Sequence, residues 1–156
     1  MPLSDRRWFL TLSLGALVGA CAPVSRRDAR PSASNLDGGT PEMRALVDRY
    51  AREYGVPPAL VHRVVQRESR YNPAARNGPY LGLMQILPQT AQTMGYKGPP
   101  SGLLDAETNL KYGVKYLRGA WLVADGSHDR AVMWYSKGYY YEAKRRGLLQ
   151  ETGLRA

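Results

Sequence analysis

A chain of 156 residues has room for one domain and short appendages, which excludes a multi-domain architecture. Its hydrophobic content of 44% is ordinary for a globular protein. The formal net charge of +9 suits an anionic partner, whether nucleic acid, a membrane surface or an acidic polymer, with solubility as the bland alternative. The basic residues are dispersed apart from Arg26-Arg27 and Lys144-Arg145-Arg146, which counts against a nucleic-acid groove.

In chain order, Arg6-Arg7 precedes an uncharged run from Trp8 to Ala20 that is shorter than the roughly 20 apolar residues a membrane-spanning helix needs. This is the layout of a bacterial export signal over residues 1–20. Arg6-Arg7-Trp8-Phe9-Leu10 resembles the twin-arginine motif, and the Sec route stays open beside it. Leu17-Val18-Gly19-Ala20-Cys21 resembles a lipobox, which makes Cys21 the expected acylated residue; a plain signal peptide with an incidental cysteine is the alternative. Cys21 is the chain's one cysteine, so no internal disulfide forms. Loss of residues 1–20 removes two arginines and one aspartate and leaves +8. Residues 21–40, rich in Pro, Ser, Ala, Arg and Gly, read as a flexible tether.

The folded domain is expected over residues 41–150, with 151–156 as a tail. Thr40-Pro41 starts a helix whose stripe is Met43, Leu46, Val47 and Tyr50, and Gly55 ends it. Pro57-Pro58 starts a second helix that must stop near Asn72-Pro73. Asn77-Gly78-Pro79 marks a turn, Gly82 to Ile86 a short apolar segment, and Pro88 a helix to about Met94. After a turn cluster at 98–102, a helix starts near Asp105 with Leu110, Val114, Leu117 and Trp121 on its core face. Ser127 caps a further helix through Tyr135, and Tyr139–Arg146 form the last one. The fold class is all-α, with at most a tiny hairpin around residues 74–82.

His62 and His128 have no partner at ligand spacing, so they read as surface residues, and neither a metal nor a cofactor is called for. No nucleophile elbow and no phosphate loop are present, which leaves acid–base chemistry by a carboxylate. Asp105 and Glu107 are accounted for by the start of their helix. Glu68 is not: Leu60, Val61, Val64 and Val65 define one helical face, and Glu68 continues it. An acid placed on an apolar face keeps its proton to higher pH, as a general acid requires. A half-buried acid held by Arg70 or a helix neighbour is the structural alternative.

Four ordered segments carry a family resemblance. They are Glu68-Ser69-Arg70-Tyr71-Asn72-Pro73; Gly82-Leu83-Met84-Gln85-Ile86 with Pro88, Thr90 and Ala91; Asn109 with Gly113, Tyr116 and Leu117; and Trp134-Tyr135-Ser136 with Gly138. Together they resemble the lytic transglycosylases of the soluble (SLT, family 1) type, over roughly residues 42–138. The resemblance implies a lysozyme-like α-helical fold acting on peptidoglycan glycan strands between N-acetylmuramic acid and N-acetylglucosamine. It implies that Glu68 is the sole catalytic acid and base and that the product carries a 1,6-anhydromuramoyl end. It further implies that Ser69 sits beside the acid, that Met84 and Gln85 line the sugar subsites, and that Tyr135 hydrogen-bonds Glu68. Taken singly, Ser69, Met84 and Tyr135 read as a helix-end hydroxyl, core filler and a buried aromatic.

The sequence departs from the family at Ser136, where an Asn is usual, which puts that substrate contact in question. The run Gly138-Tyr139-Tyr140-Tyr141 departs as well. Two other functions stay open: a hydrolytic muramidase, and a cell-wall-binding lipoprotein without turnover that docks to a cell-envelope assembly machine. The expected location is periplasmic, attached to a membrane through Cys21.

Overall fold

In the computed structural model, residues 38–155 are described; the expected export signal, Cys21 and the expected tether up to residue 37 lie outside the described residues. Thr40 caps α1 (Pro41–Glu53), its side chain accepting from the Met43 N–H at 3.2 Å. The helix buries Val47, Tyr50 and Ala51. The expected stripe of α2 (Pro58–Ser69), Leu60, Val61, Val64 and Val65, is buried against it. A two-stranded antiparallel hairpin follows, β1 (Arg76–Asn77) and β2 (Tyr80–Leu81), with Asn77 opposite Tyr80. Then come α3 (Pro88–Thr93), a 3-10 helix over Pro100–Leu104, α4 (Ala106–Val123), α5 (His128–Lys137) and α6 (Tyr140–Arg146). The all-α reading holds, with the hairpin as the only sheet among the described residues.

Helix α4 is the axis of the domain. It packs against α1, α3, α5 and α6, and its Leu110, Val114, Leu117 and Ala120 are fully buried. Trp121, expected on this core face, is only half-buried and meets His128 edge-on at 5.3 Å. Gly113 lets the chain of another segment come close: a Cβ there would lie 2.6 Å from Met84 Sδ. One turn earlier, fully buried Asn109 receives the Met84 N–H on Oδ1 at 2.8 Å. Its Nδ2 donates to the carbonyls of Leu81 and Leu103 at 2.8 and 2.7 Å. Gly82 is equally constrained, because its φ is +73° and a Cβ would collide with the Asn109 amide and the Leu103 carbonyl. The segment Gly82–Ile86 is therefore stitched to α4 by one side chain.

Three local expectations need correcting. Helix α2 ends at Ser69, earlier than the proline rule required, because Arg70 and Tyr71 both turn left-handed (φ 52° and 63°). His62 is not a surface residue in the free sense. Its Nε2 is hydrogen-bonded to Asp48 Oδ1 at 2.9 Å and its Nδ1 to the Tyr71 hydroxyl at 2.6 Å. That clamp draws Tyr71 into the core, 6% exposed, and the Arg44 guanidinium covers its ring at 4.9 Å. Finally, residues 151–155 fold back: Thr152 is buried and donates to Leu148 O at 2.7 Å, and Arg118 holds the Glu151 carbonyl.

Replacing Asn109 by Ala strands one buried donor and two buried carbonyls, each costing about 1–3 kcal/mol. A thermal melt is expected to show a midpoint lower by about 10 °C. A shift of a degree or less would mean the segment does not depend on this amide.

Candidate active site

Glu68 occupies the last turn of α2, one residue before its end. The apolar face carries it toward the interior, so its side chain is 23% exposed. Burial raises its carboxyl above the ordinary glutamate range, and Arg67, whose Nε lies 3.6 Å from Oε1, opposes the shift only in part. The alternative partner considered from sequence, Arg70, forms no ion pair with it; Arg67 does.

The carboxyl opens onto a cleft of about 350 Å³ whose wall includes Arg67, Asn77, Tyr80, Gln85, Tyr135 and Ser136. A second lobe of about 240 Å³ shares Tyr80, Gln85, Tyr135 and Ser136 and extends to Thr90, Tyr116 and Lys137. Glu68 is the one carboxylate lining either lobe among the described residues. Other acids are engaged elsewhere: Asp48 with His62, Glu107 with Arg49, Asp129 with Arg63, and Asp125 and Glu142 with Arg146.

Gln85 reaches the cleft by a route the residue pattern alone could not supply. Its backbone is left-handed (φ 46°), and its Nε2 donates to Gly82 O at 2.8 Å and to Ala75 O at 3.2 Å. Both amide hydrogens are thus held by backbone, which leaves the amide oxygen as the group to accept from a ligand.

Tyr135 also differs from the resemblance. Its hydroxyl donates to the Met84 carbonyl at 2.8 Å rather than to Glu68. Burial, with Glu68 and Tyr116 nearby, raises this phenol well above its ordinary range, so it stays neutral. Its role beside Glu68 is that of an uncharged wall fixed to the Gly82–Ile86 segment.

Met84 does not line the cleft. Its N–H is held by Asn109 and its carbonyl by Tyr135, so the side chain points at Gly113 and is fully buried. The core-filling alternative is the correct one. Ser69 likewise lines neither lobe: its hydroxyl donates back to Val65 O at 3.2 Å, as helix-end serines do. Ser136, the departure from the family, does line both lobes, with its hydroxyl donating to Val132 O at 3.0 Å.

Sequence reasoning passed over Tyr80 and Asn77. Both lie on the hairpin, and Tyr80 is 42% exposed between the lobes. The signal was present: a large aromatic directly after an Asn-Gly-Pro turn has no core to enter.

Helical fold, half-buried lone acid and a two-lobed cleft define a site suited to acid–base chemistry. Comparison with known proteins agrees: residues 45–150 match the family model described as the Transglycosylase SLT domain, and the chain belongs to that family. Similar curated proteins include the membrane-bound lytic murein transglycosylase C of Serratia proteamaculans (strain 568), 36% identical over 92 residues. The proteins of that name from Yersinia pestis (strain Pestoides F) and Yersinia pseudotuberculosis (strain IP 31758) match to the same extent. In each case the match covers 54% of this chain and 26% of the relative, so it spans about a quarter of their length.

The raised carboxyl has a consequence for stability. Between the ordinary glutamate value of 4.5 and its folded value, Glu68 binds more protons in the folded chain than in the unfolded one. Stability contributed by the protonated form is therefore present below 4.5 and lost as pH rises through the folded value. Glu68→Gln is expected to melt about 1–3 °C above wild type at pH 7, with the difference closing as pH falls below 4.5. A variant less stable than wild type at pH 7 would contradict a desolvated carboxyl.

Proposed function

We propose that this chain is a peptidoglycan lytic transglycosylase that cleaves the β-1,4 bond between N-acetylmuramic acid and N-acetylglucosamine. The observation that carries the reading is Glu68: half-buried, held above its ordinary pKa, and the carboxylate on the wall of the cleft. Ordinary glycosidases divide the work between two carboxyl groups. With Glu68 alone on the wall, acid and base fall to one group in succession.

Protonated Glu68 gives its proton to the glycosidic oxygen as the C1–O bond breaks and the N-acetylglucosamine end leaves as an alcohol. The resulting carboxylate then takes the proton of the muramoyl C6 hydroxyl while that oxygen bonds to C1. The 1,6-anhydro ring closes, no water is consumed, and Glu68 ends protonated for another cycle. A carboxyl with its pKa raised toward the working pH serves both directions of proton transfer. The Gln85 amide oxygen is placed to accept from a sugar hydroxyl or acetamido N–H, and Tyr80 offers an exposed ring to a sugar face.

Glu68→Gln on purified peptidoglycan is expected to lose at least a thousand-fold in solubilising activity while strand binding survives. Mass spectrometry of wild-type digests is expected to show anhydro ends; reducing ends instead would identify a hydrolytic muramidase. Undiminished turnover by the variant would sink the assignment.

The names of the curated relatives include the words membrane-bound. Among the described residues no helix is long and apolar enough to cross a membrane. A lipid at Cys21 supplies the attachment, the segment to residue 40 supplies reach, and the location is the periplasmic face of a membrane. Cys21→Ser is expected to move the protein from the membrane fraction to the soluble fraction in an envelope fractionation. Continued membrane association of that variant would exclude Cys21 as the anchor.

A further inference from the structure

The two lobes of the cleft differ in charge. Glu68 and Arg67 belong to one lobe only, whereas Lys137 belongs only to the other. Lys137 is the last residue of α5, where a cation complements the helix dipole. That accounts for a basic residue at the position but not for its partner. Among the described residues no carboxylate forms an ion pair with it.

The rest of this lobe has the chemistry of a sugar site. Tyr80, Tyr116 and Tyr135 furnish aromatic walls, and Thr90 furnishes a hydroxyl. Tyr116 is held in place by its neighbours: its ring meets that of Tyr135 edge-on at 5.4 Å, and its carbonyl accepts from Tyr139 at 2.8 Å. The two N-acetylated sugars of a peptidoglycan strand are neutral. Its carboxylates are carried on the stem peptide attached through the lactyl ether of the muramoyl residue. A lone cation at the rim of an aromatic lobe therefore has nothing to pair with on the sugar and a ready counter-ion on the peptide.

We propose that the lobe remote from Glu68 receives a peptide-bearing muramoyl residue, with the Lys137 ammonium pairing with a stem-peptide carboxylate. This makes the chain selective for strands whose stem-peptide carboxylates are free over strands in which they are capped as amides. The inference rests on the substrate assignment made above.

The test compares glycan strands whose stem-peptide carboxylates are free with the same strands after carbodiimide capping of those carboxylates as methylamides, using the whole chain. Amidase-stripped strands would expose the lactyl carboxylate and are not a control. The readout is the ratio of kcat/KM on the two substrates. Wild type is expected to prefer the uncapped strands. Lys137→Ala is expected to lower the ratio about three-fold and Lys137→Glu about ten-fold, mainly through KM, in line with a solvent-exposed ion pair. Lys137→Arg is expected to keep the ratio, and added salt to erode it. An unchanged ratio in Lys137→Glu overturns the inference while leaving the catalytic reading intact. The same variants in a Glu68→Gln background, titrated with soluble peptide-bearing fragments, are expected to rank in the same order by affinity. Should wild type fail to turn over either substrate while that ranking holds, the lytic reading falls and the role of Lys137 stands. A flat ranking overturns it.

Discussion

One buried amide organises this domain. Asn109 spends its three hydrogen bonds on three different pieces of backbone: the end of the hairpin at Leu81, the segment at Met84, and the 3-10 helix at Leu103. None of those pieces is long enough to be stable alone, since the hairpin has two residues per strand and the 3-10 helix five. Fixing them to α4 turns local turns into a wall. Buried polar groups that are fully satisfied specify one arrangement, whereas half-satisfied ones cost more than an apolar core. Gly82 and Gly113 complete the constraint by leaving no room for any side chain where the segment crosses Asn109 and α4. Everything that the cleft presents on this side, Gln85 above all, inherits its position from that stitch.

The acid works by the opposite logic. Glu68 is not satisfied by the fold: among the described residues it accepts no hydrogen bond, its ion pair with Arg67 is long, and burial pushes its carboxyl up. A rigid wall is useful opposite such a group because in the proposed cycle the group itself changes charge. Tyr135 shows how the two are separated. Its hydroxyl is committed to Met84, so Tyr135 neither donates to the carboxylate nor stabilises its charge. Had that hydroxyl bonded Glu68, it would have favoured the anion and lowered the pKa that a general acid needs.

Much of this was legible beforehand, and the failures share a cause. The helix starts at Pro41, Pro58 and Pro88, and the caps at Asp105 and Ser127, follow from local chemistry. The apolar stripe of α2 located Glu68 correctly because periodicity reports which face is buried. Through resemblance Met84 and Ser69 are expected at the cleft and Tyr135 on Glu68, and there residue order says nothing about where a side chain points. Met84 turns inward because both its backbone groups are tied to distant residues, 25 and 51 positions away in sequence. His62 was missed for the same reason: its partners, Asp48 and Tyr71, come from a different helix and from beyond the end of its own. Tertiary hydrogen bonds of this kind leave no period in a sequence.

The His62 clamp nevertheless bears on the acid. Tyr71 lies three residues past Glu68, in a left-handed conformation that a bulky residue adopts only when held there. Its hydroxyl is fixed by His62, its ring by Arg44, and its other edge lies against Gly39. Ending α2 at Ser69 lets Tyr71 reach this clamp, and the N–H groups of Arg70 and Asn72 close the helix end on the carbonyls of Gln66 and Ser69 at 3.1 and 3.0 Å. The early stop that the proline rule did not anticipate thus fixes the backbone immediately after Glu68. One side of the cleft is held by Asn109, and the end of the helix that carries its acid is held through Tyr71 by His62.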